Sequence, residues 1–390
     1  MKKRILQVSL AIALMLEAIF FADFASAAWK WPSNLTIMTL GVGGAGHFAT
    51  AAWTPVMEQM TGMKVRILPE HNEVLRNKWL RERKVEISSD LIFSCAWYMQ
   101  GERQYATRDG GAFQARVVWP NVITTFGHMV RGDSKIKSIY DLKPGLRAAM
   151  FSVSQGQQAN LLSAFVWVGI DKKDVIPVHF GSVPGFVRAI AEGKADITVC
   201  GPTQPAVFEA AGNPYGVRWL EFPVKEDPKG MKRALDFSPT MMFKRCTEGV
   251  ESAKGVMMMA APYLHFAHAD TDSEMIYQIA KWMGENFDAY KDKHAMCKSL
   301  SIADFRDILD FIYLPVHEGT IRYLKEKRMW TAQDDSRQKY NVELLTRWEI
   351  AYKDATAEAD KKEIKIDPKN KEWLDLWYSY KKDLPIFKTR

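Results

Sequence analysis

Short apolar segments of strand length alternate with longer amphipathic segments over the first hundred residues of the chain. The pattern predicts strands at residues 35–40, 64–68 and 91–96, and helices at 47–60 and 72–83. Strands and helices that alternate in this way form a parallel sheet with helices packed on both of its faces. The first part of the chain is therefore predicted to be an α/β unit.

A second block of the same kind follows. Its predicted strands and helices are strands at 122–130, 148–153, 175–180 and 197–200, and helices at 154–168 and 183–192. Residues 257–267 are predicted to be an extended return segment, and the chain is mainly helical from Asp272 onward. Because no long flexible linker separates the blocks, we predict an α/β fold of two similar lobes, joined by crossing strands, with a ligand cleft between them.

The first 27 residues have the three regions of a cleaved secretory signal peptide. A basic start at positions 2–4 is followed by a mostly apolar stretch at 5–21, and Ala25-Ser26-Ala27 predicts cleavage before Ala28. A membrane anchor is the alternative, but the apolar stretch is shorter than the ~20 residues of a spanning helix and contains Glu17. The sequence therefore predicts export to the periplasm.

The amino-acid composition and net charge indicate which kinds of molecule this protein is expected to bind. The chain is 47% hydrophobic and 25% charged, a balance typical of a globular protein, and its net charge of +7 favours the approach of an anionic solute. It contains no basic block interleaved with aromatic residues, so nucleic acid is not an expected partner. We expect a monomer that uses no cofactor.

Four cysteines allow three pairings, and the sequence does not choose among them. Cys95 and Cys200 each end an apolar, strand-like run and are expected to be buried thiols. If a disulfide forms, Cys246 with Cys297 is the more favoured pair. The spacings are not those of a zinc site, and no metal is predicted.

Three loops, residues 41–47, 154–158 and 201–205, each follow a strand and open a helix, which is where ligands bind in open α/β sheets. The first matches G-x-G-x-x-G, but the nearest acidic candidate after the next strand, Glu70, lies beyond Pro69, which disfavours a dinucleotide site. The second suits an oxyanion, unless Ser154 is simply a helix cap. The prolines of the third either shape a turn or turn its polar residues toward the cleft.

Four segments, taken in order, resemble the TAXI solute-binding proteins, the extracytoplasmic receptors of TRAP transporters. They are the glycine-rich first loop, the turn at 141–145 with the loop at Ser154, the stretch 186–197, and residues 314–323. The last is similar to the family's Pro-x-His-x-Gly-Ala-x-x-Tyr segment, and the resemblance runs from Leu35 to Trp330. It implies a two-lobed periplasmic binding protein of type II-like fold, a small carboxylate-bearing solute, and a sodium-coupled TRAP permease as membrane partner.

The chain departs from the family pattern at its loops. His47-Phe48 replaces paired tyrosines, residues 73–76 replace Ser-x-x-Asn, and Ser154-Gln155-Gly156 replaces Gly-Ser-Gly. Arg76 either clamps a ligand carboxylate or pairs with Glu73 one helical turn earlier, and these alternatives stay open. The residues predicted to face the ligand are Gly43, Gly44, His47, Phe48, Glu73, Arg76, Ser94, Trp97, Ser154, Gln155, Gly156, Gln157, Gln158, Gly181, Pro202, Thr203 and Gln204.

Sixty residues follow Trp330, and their aromatic and charged pattern predicts two amphipathic helices that pack on a lobe or form a docking surface. The predicted division is residues 1–27 as signal peptide, 28–125 with 256–330 as lobe I, 126–255 as lobe II, and 331–390 as a C-terminal extension.

An enzyme is not expected. His265, His268 and Asp270 match no metal motif, and Gly-x-Ser-x-Gly occurs nowhere in the chain. The alternative to a transport receptor is a periplasmic sensing protein that presents its ligand to a membrane signalling partner, with the C-terminal helices as docking surface.

Overall fold

The computed structural model describes residues 29–42, 44–152 and 155–388, and the predicted signal peptide lies outside this part of the chain. Ten strands of the described residues belong to one continuous sheet. They are β1 (Asn34–Thr39), β2 (Lys64–Pro69), β3 (Ile87–Leu91), β4 (Ala115–Arg131), β5 (Arg147–Phe151), β6 (Ile176–Phe180), β7 (Ile197–Cys200), β8 (Val217–Leu220), β9 (Met242–Arg245) and β10 (Met257–His268).

Helices cover both faces of this sheet and make up most of the C-terminal third. They are α1 (Ala45–Thr61), α2 (Glu73–Arg81), α3 (Ile92–Met99), α4 (Gln155–Trp167), α5 (Val183–Ala191), α6 (Pro205–Ala211), α7 (Pro228–Phe237), α8 (Ser273–Glu285), α9 (Phe287–Tyr290), α10 (Ile302–Leu309), α11 (Glu318–Glu326), α12 (Ala332–Lys361) and α13 (Lys371–Lys381). The alternation of strand and helix predicted from the sequence is present in both blocks.

The strand order is β2-β1-β3-β10-β4-β7-β5-β6, with β8 beside β4 and β9 beside β10. Strands β1, β2 and β3 are parallel, as are β5, β6 and β7, whereas β4 and β10 run antiparallel to their neighbours. Parallel pairs need helical crossovers, which is why each half carries helices on its faces. The long strands β4 and β10 join the two halves.

The hydrophobic core is divided between the halves of the sheet. One cluster of buried side chains includes Trp53 and Trp119 and extends into the C-terminal helices. Two further clusters cover the faces of the other half, one around Trp167 and one around Phe186. On this division of the core we propose keeping the predicted boundaries, 28–125 with 256–330 as lobe I and 126–255 as lobe II.

The two C-terminal helices pack on lobe I. The indole Nε1 of Trp373 donates to the Ala106 carbonyl at 2.8 Å, and that of Trp377 donates to the Gln100 carbonyl at 3.1 Å. Both indoles are fully buried. Since a buried indole N–H needs an acceptor, these bonds set where α13 lies against the loop that follows α3.

Residues 91–96 were predicted as a strand, and this prediction is wrong. The strand is β3, which ends at Leu91, and the apolar residues that follow form α3. A short apolar run buried on all sides has no periodicity that separates strand from helix. The polar residues Ser88, Ser89 and Asp90 of β3 are buried in the sheet, where sequence patterning places apolar side chains.

The favoured disulfide between Cys246 and Cys297 is also absent, because all four cysteines are buried free thiols. Cys246 belongs to a core cluster of lobe II and Cys297 to the cluster of lobe I. The Cys246 thiol donates to the Glu248 carbonyl at 3.1 Å, and the Cys297 thiol donates to the Ala49 carbonyl at 3.7 Å. The expected burial of Cys95 and Cys200 is confirmed.

Candidate functional site

The carboxyl ends of strands from both lobes point at the middle of the crossing strands. In lobe I, Leu91 at the end of β3 lies opposite Tyr263 of β10. In lobe II, Cys200 at the end of β7 lies opposite Gly127 of β4. Helix α3, which follows β3 directly, and the loop that follows β7 therefore begin beside the crossing strands, and the carboxyl ends of strands are where open α/β sheets bind ligands.

The first predicted loop lies between β1 and α1. Gly44 precedes the helix in an extended conformation, and Gly43 lies outside the described residues. The ring of His71 packs directly over Gly41, so a side chain at position 41 would have to displace this exposed ring. Glycine at position 41 allows the close contact of these two loops of lobe I.

His47 and Phe48, in the first turn of α1, take part in contacts within lobe I. His47 Nδ1 shares a 3.0 Å hydrogen bond with the Thr39 hydroxyl, and burial lowers the pKa of His47. The ring of Phe48 is stacked on that of His294, with centroids 5.8 Å apart. The stack brings the start of α1 beside the turn at Ala295–Ser299.

Arg76 is fully buried, and its ion-pair partner is Asp90 rather than Glu73. Arg76 Nη2 donates to Asp90 Oδ1 at 3.0 Å, and Nη1 donates to the Glu70 carbonyl at 2.5 Å. Asn77 donates to the other Asp90 oxygen at 3.1 Å. In this structure the Arg76 guanidinium joins α2 to β3. A contact between Arg76 and the carboxylate of a ligand stays a prediction.

The carboxylate of Glu73 lies in the same buried cluster. It accepts a hydrogen bond from the Tyr105 hydroxyl. Burial, and then the negative charge of Asp90, raise the pKa of Glu73 to about 7, while Arg76 and the hydroxyls of Tyr105 and Ser94 act in the opposite direction. Two carboxylates that share one guanidinium cannot both ionise easily inside a protein.

Ser94 and Trp97 lie on the buried helix α3 rather than at a strand end. The guanidinium of Arg103 lies 3.8 Å from the centroid of the Trp97 ring, a cation–π contact. Ser94 and Trp97 are almost fully excluded from solvent. The structure therefore brings Glu73, Arg76 and Ser94 together in one cluster near the carboxyl end of β3.

The second predicted loop connects β5 to α4, and Ser154 lies outside the described residues. Gln155 begins the helix, and Gly156 follows it in a buried position. Gln157 Oε1 accepts from the Phe151 amide at 2.9 Å, and Gln158 Nε2 donates to the Phe151 carbonyl at 2.9 Å. These two side-chain amides hold the loop against the end of β5.

The remaining predicted residues lie at the ends of β6 and β7. Gly181 is exposed, and nothing lies within contact distance of the position a side chain would take. Pro202 is buried, and its carbonyl accepts from the Val250 amide at 3.2 Å. Gln204 precedes α6, and its buried side-chain oxygen has no partner in the described part of the chain. Thr203 lines a cavity between the lobes.

This cavity has a volume of about 160 Å³ and lies beside the crossing strand β4. It receives residues from both lobes and from the crossing strand itself. Its lining consists of Val122, Ile123, Thr124, Thr125, Thr203, Lys244, Arg245, Thr247, Glu248, Ala295, Met296, Lys298, Ser299 and Asp304. Of the residues predicted from the sequence, only Thr203 is among them.

Sequence reasoning missed the charged and hydroxyl residues of this cavity. Lys244 lies in β9, Lys298 lies in a short turn, and Thr124 and Thr125 lie within β4, so no motif joins them. Their shared position is produced by the crossing of β4 between the lobes. The one available signal was the pair of hydroxyl residues Thr124 and Thr125 within the predicted strand 122–130.

The two histidines considered as metal ligands, His265 and His268, lie beside an aromatic ring and a single carboxylate. His265 is buried against the edge of Trp53, with ring centroids 5.8 Å apart, and burial lowers its pKa to about 3. His268 Nδ1 lies 3.8 Å from Asp270 Oδ2. Within the described residues no group of His, Cys, Asp or Glu side chains could hold a metal ion. No helix among those residues is both long enough and apolar enough to cross a membrane.

The chain thus has two α/β lobes joined by crossing strands, with a cavity lined by both lobes beside those strands. The chain belongs to the NMT1-like family, whose model matches residues 72–327. No curated protein sequence matches it.

Several solved structures resemble this one. The first is SsuA, the periplasmic aliphatic sulphonate binding protein of Escherichia coli. The alignment covers 81% of this chain and 87% of the SsuA chain at 15% identity, with a TM-score of 0.42. MatC from Rhodopseudomonas palustris, with bound malate, covers 76% and 99% at 12% identity, with a TM-score of 0.48. R. palustris Rpa4515 with adipate covers 77% and 98% at 11% identity, with a TM-score of 0.47. The ligands belong to those proteins.

Proposed function

We propose that this chain is the periplasmic receptor of a TRAP-type transporter of the TAXI kind. It captures a small carboxylate-bearing solute between its lobes and delivers it to a membrane permease. The observation that carries the proposal is the convergence of strand ends from both lobes on the crossing strands, beside a polar cavity lined by both. Family membership and the four segments that resemble TAXI receptors support it.

Binding in such a receptor needs no covalent chemistry. Contacts with the solute that form only when the lobes approach each other favour the closed conformation, and the shift is limited by the difference in affinity between the two conformations. The permease then distinguishes the closed, loaded receptor from the open one. The cavity lined by both lobes is suited to this, because each lobe supplies part of the contact surface.

A thermal-denaturation screen of the exported chain tests the proposal. The panel holds dicarboxylates, keto acids, amino acids, sulfonates and neutral sugars, each at matched ionic strength. A solute at about 100 times its dissociation constant stabilises the folded protein by about 2.7 kcal/mol, which raises Tm by several degrees. We expect carboxylates to raise Tm and sugars to leave it unchanged.

A second measurement addresses the membrane partner. Proteoliposomes that carry a TRAP permease should take up the identified solute only when both this receptor and an inward sodium gradient are present. A solute that binds but is never transported would contradict the transporter assignment. If no compound of any class raises Tm, the receptor assignment itself is overturned.

A further inference from the structure

A groove separate from the inter-lobe cavity lies between α13 and the loop that follows α3. It is formed by residues 101–104 of lobe I and by residues between 368 and 381 of the C-terminal extension. Its volume is about 490 Å³, against about 160 Å³ for the inter-lobe cavity, and the two share no described residue. The family model ends at residue 327, so the α13 side of the groove lies beyond the part of the chain that matches the family.

One wall of the groove is apolar and aromatic. Leu374 and Tyr378 lie one turn apart on α13, and they are 37% and 63% exposed. Beside them the fully buried indole of Trp377 donates to the carbonyls of Gln100 and Gly101, both at 3.1 Å. These bonds hold α13 against the loop, so the wall is already formed before any ligand arrives. Exposed apolar side chains that share one concave surface mark a binding site.

The charged groups of the groove are three cations and one carboxylate. Lys381 Nζ lies 2.6 Å from Glu102 Oε1, and this pair is neutral as a unit. Arg103 and Lys369 are the two cations that remain, and neither forms an ion pair with a carboxylate in the described part of the chain. The groove therefore has a positive balance beside its apolar wall.

The backbone of Arg103 is in a conformation that its place in the fold does not explain. Among the described residues, four that are not glycine have a positive φ. Arg83, Arg328 and Glu363 each follow the cap residue of a helix (α2, α11 and α12), where the left-handed conformation is common. Arg103 has a φ of +55° at the start of a short helical turn instead. Backbone strain at a residue that lines a groove is a sign of function.

The side chain of Arg103 is held ready for an anion. Its guanidinium lies 3.8 Å from the centroid of the Trp97 ring, so one face of the guanidinium is covered. The N–H groups at its edge donate to no acceptor among the residues that the structure describes. A planar fork of free N–H groups matches the oxygens of a carboxylate or sulfonate, and such charge-assisted hydrogen bonds are the strong ones.

We propose that this groove binds an amphipathic organic anion, whose acid group is bound by Arg103 and whose aromatic or alkyl body packs on Leu374 and Tyr378. The unpaired cations select the charge, and the apolar wall selects a body that a small dicarboxylate lacks. The groove is concave, which suits an inserted ligand better than a flat membrane surface. Because the site lies outside the inter-lobe cavity, the inference does not depend on the proposed function.

The probes for the test are anilinonaphthalene sulfonate (ANS) and N-phenylnaphthylamine, which share one aromatic body, while ANS alone carries an acid group. Fluorescence titration gives the dissociation constants. Arg103→Gln should weaken ANS binding about fivefold or more and leave N-phenylnaphthylamine within twofold. The control is Arg328→Gln, since Arg328 is also exposed, has a φ of +57° and forms no ion pair in the described chain, but lies outside the groove. It should leave ANS within twofold.

The apolar wall is tested in the same way. Tyr378→Ser should weaken both probes, because both pack their aromatic body there. Tyr380→Ser is the control, an exposed tyrosine of the same helix that does not line the groove, and it should change neither. Thermal denaturation confirms that each variant is folded.

ANS binding that is absent, or that is equal in Arg103→Gln and Arg328→Gln, would overturn the proposal and leave the receptor function intact. Sedimentation velocity without probe tests a second copy of the chain as occupant. A dimer that Tyr378→Ser abolishes would overturn the ligand site in favour of a self-association surface. Binding to phosphatidylglycerol vesicles that Arg103→Gln abolishes would overturn it in favour of a membrane-contact surface.

Discussion

Arg76 Nη2 lies 3.0 Å from Asp90 Oδ1, and both side chains are almost completely excluded from solvent. The pair joins the first turn of α2 to strand β3, an interior strand of the sheet. A buried ion pair is weak evidence for net stability, but removal of one partner leaves an uncompensated charge inside the protein. Replacement of either residue by a neutral one should therefore destabilise the folded protein.

Asp90→Asn should lower the free energy of unfolding by about 1–3 kcal/mol, because it removes the hydrogen-bonded counter-charge of the buried Arg76 guanidinium and leaves only Glu73 to replace it. Urea denaturation measures the loss. Asp270→Asn is the matched control, since the Arg83–Asp270 pair is exposed and its loss should cost less than about 1 kcal/mol. Equal effects of the two substitutions would contradict the assigned role of the buried pair.

Glu73 should make stability depend on pH. Its pKa is raised from an ordinary value of 4.5 to about 7, so between these values the folded protein holds a proton that the unfolded chain has lost. The free energy of unfolding should therefore fall as pH rises from about 4.5 to about 7, and level off above that. Glu73→Gln, which keeps the protonated form, should remove this fall.

The check is the difference in unfolding free energy between Glu73→Gln and the unmodified protein, measured from pH 4 to 8. The variant should be similar in stability at the acid end and relatively more stable at pH 8. A difference that stays constant over the whole range would show that Glu73 ionises normally.

Gly111 should tolerate no side chain. It has a φ of +79°, and a Cβ there would lie inside the ring of Tyr352 on α12. Gly145 has a nearly equal φ of +82° but open space around it, so Gly145→Ala isolates the backbone cost of about 1–2 kcal/mol. Gly111→Ala should cost a further 1–3 kcal/mol, roughly, from displacement of the Tyr352 ring.

Thermal and urea denaturation of the two alanine variants measure these losses. If Gly111→Ala lowers the free energy of unfolding no more than Gly145→Ala does, then Tyr352 of α12 does not pack against Gly111 as the structure shows.

The four cysteines should stay reduced and unreactive in the folded protein. All are buried, and burial raises the pKa of Cys297 to about 12 and that of Cys95 well above its ordinary value. The thiolate is the reactive form, so DTNB should label no cysteine before unfolding and four afterwards without added reductant. Two reactive thiols in the unfolded, unreduced chain would instead indicate a disulfide.

Much of the lobe architecture was predictable, because alternating strand and helix patterns depend on local sequence. The strands at β1, β2 and β7 were found close to their predicted bounds. The segment 91–96 was not, because a run that is buried on every side has no polar face to show its period. The burial of the polar strand residues Ser88 to Asp90 was not predictable either, since it depends on partners distant in sequence.

The cleft loops were predicted from the order of strands, glycines and helix starts, and that order is a property of the sequence alone. The partners of Arg76 and the residues of the inter-lobe cavity were decided by the tertiary structure. Arg76 meets Asp90 because α2 packs on β3, and the cavity brings together residues as distant in sequence as Val122 and Asp304 because β4 crosses between the lobes. Such contacts depend on how elements pack, and no local pattern records that packing.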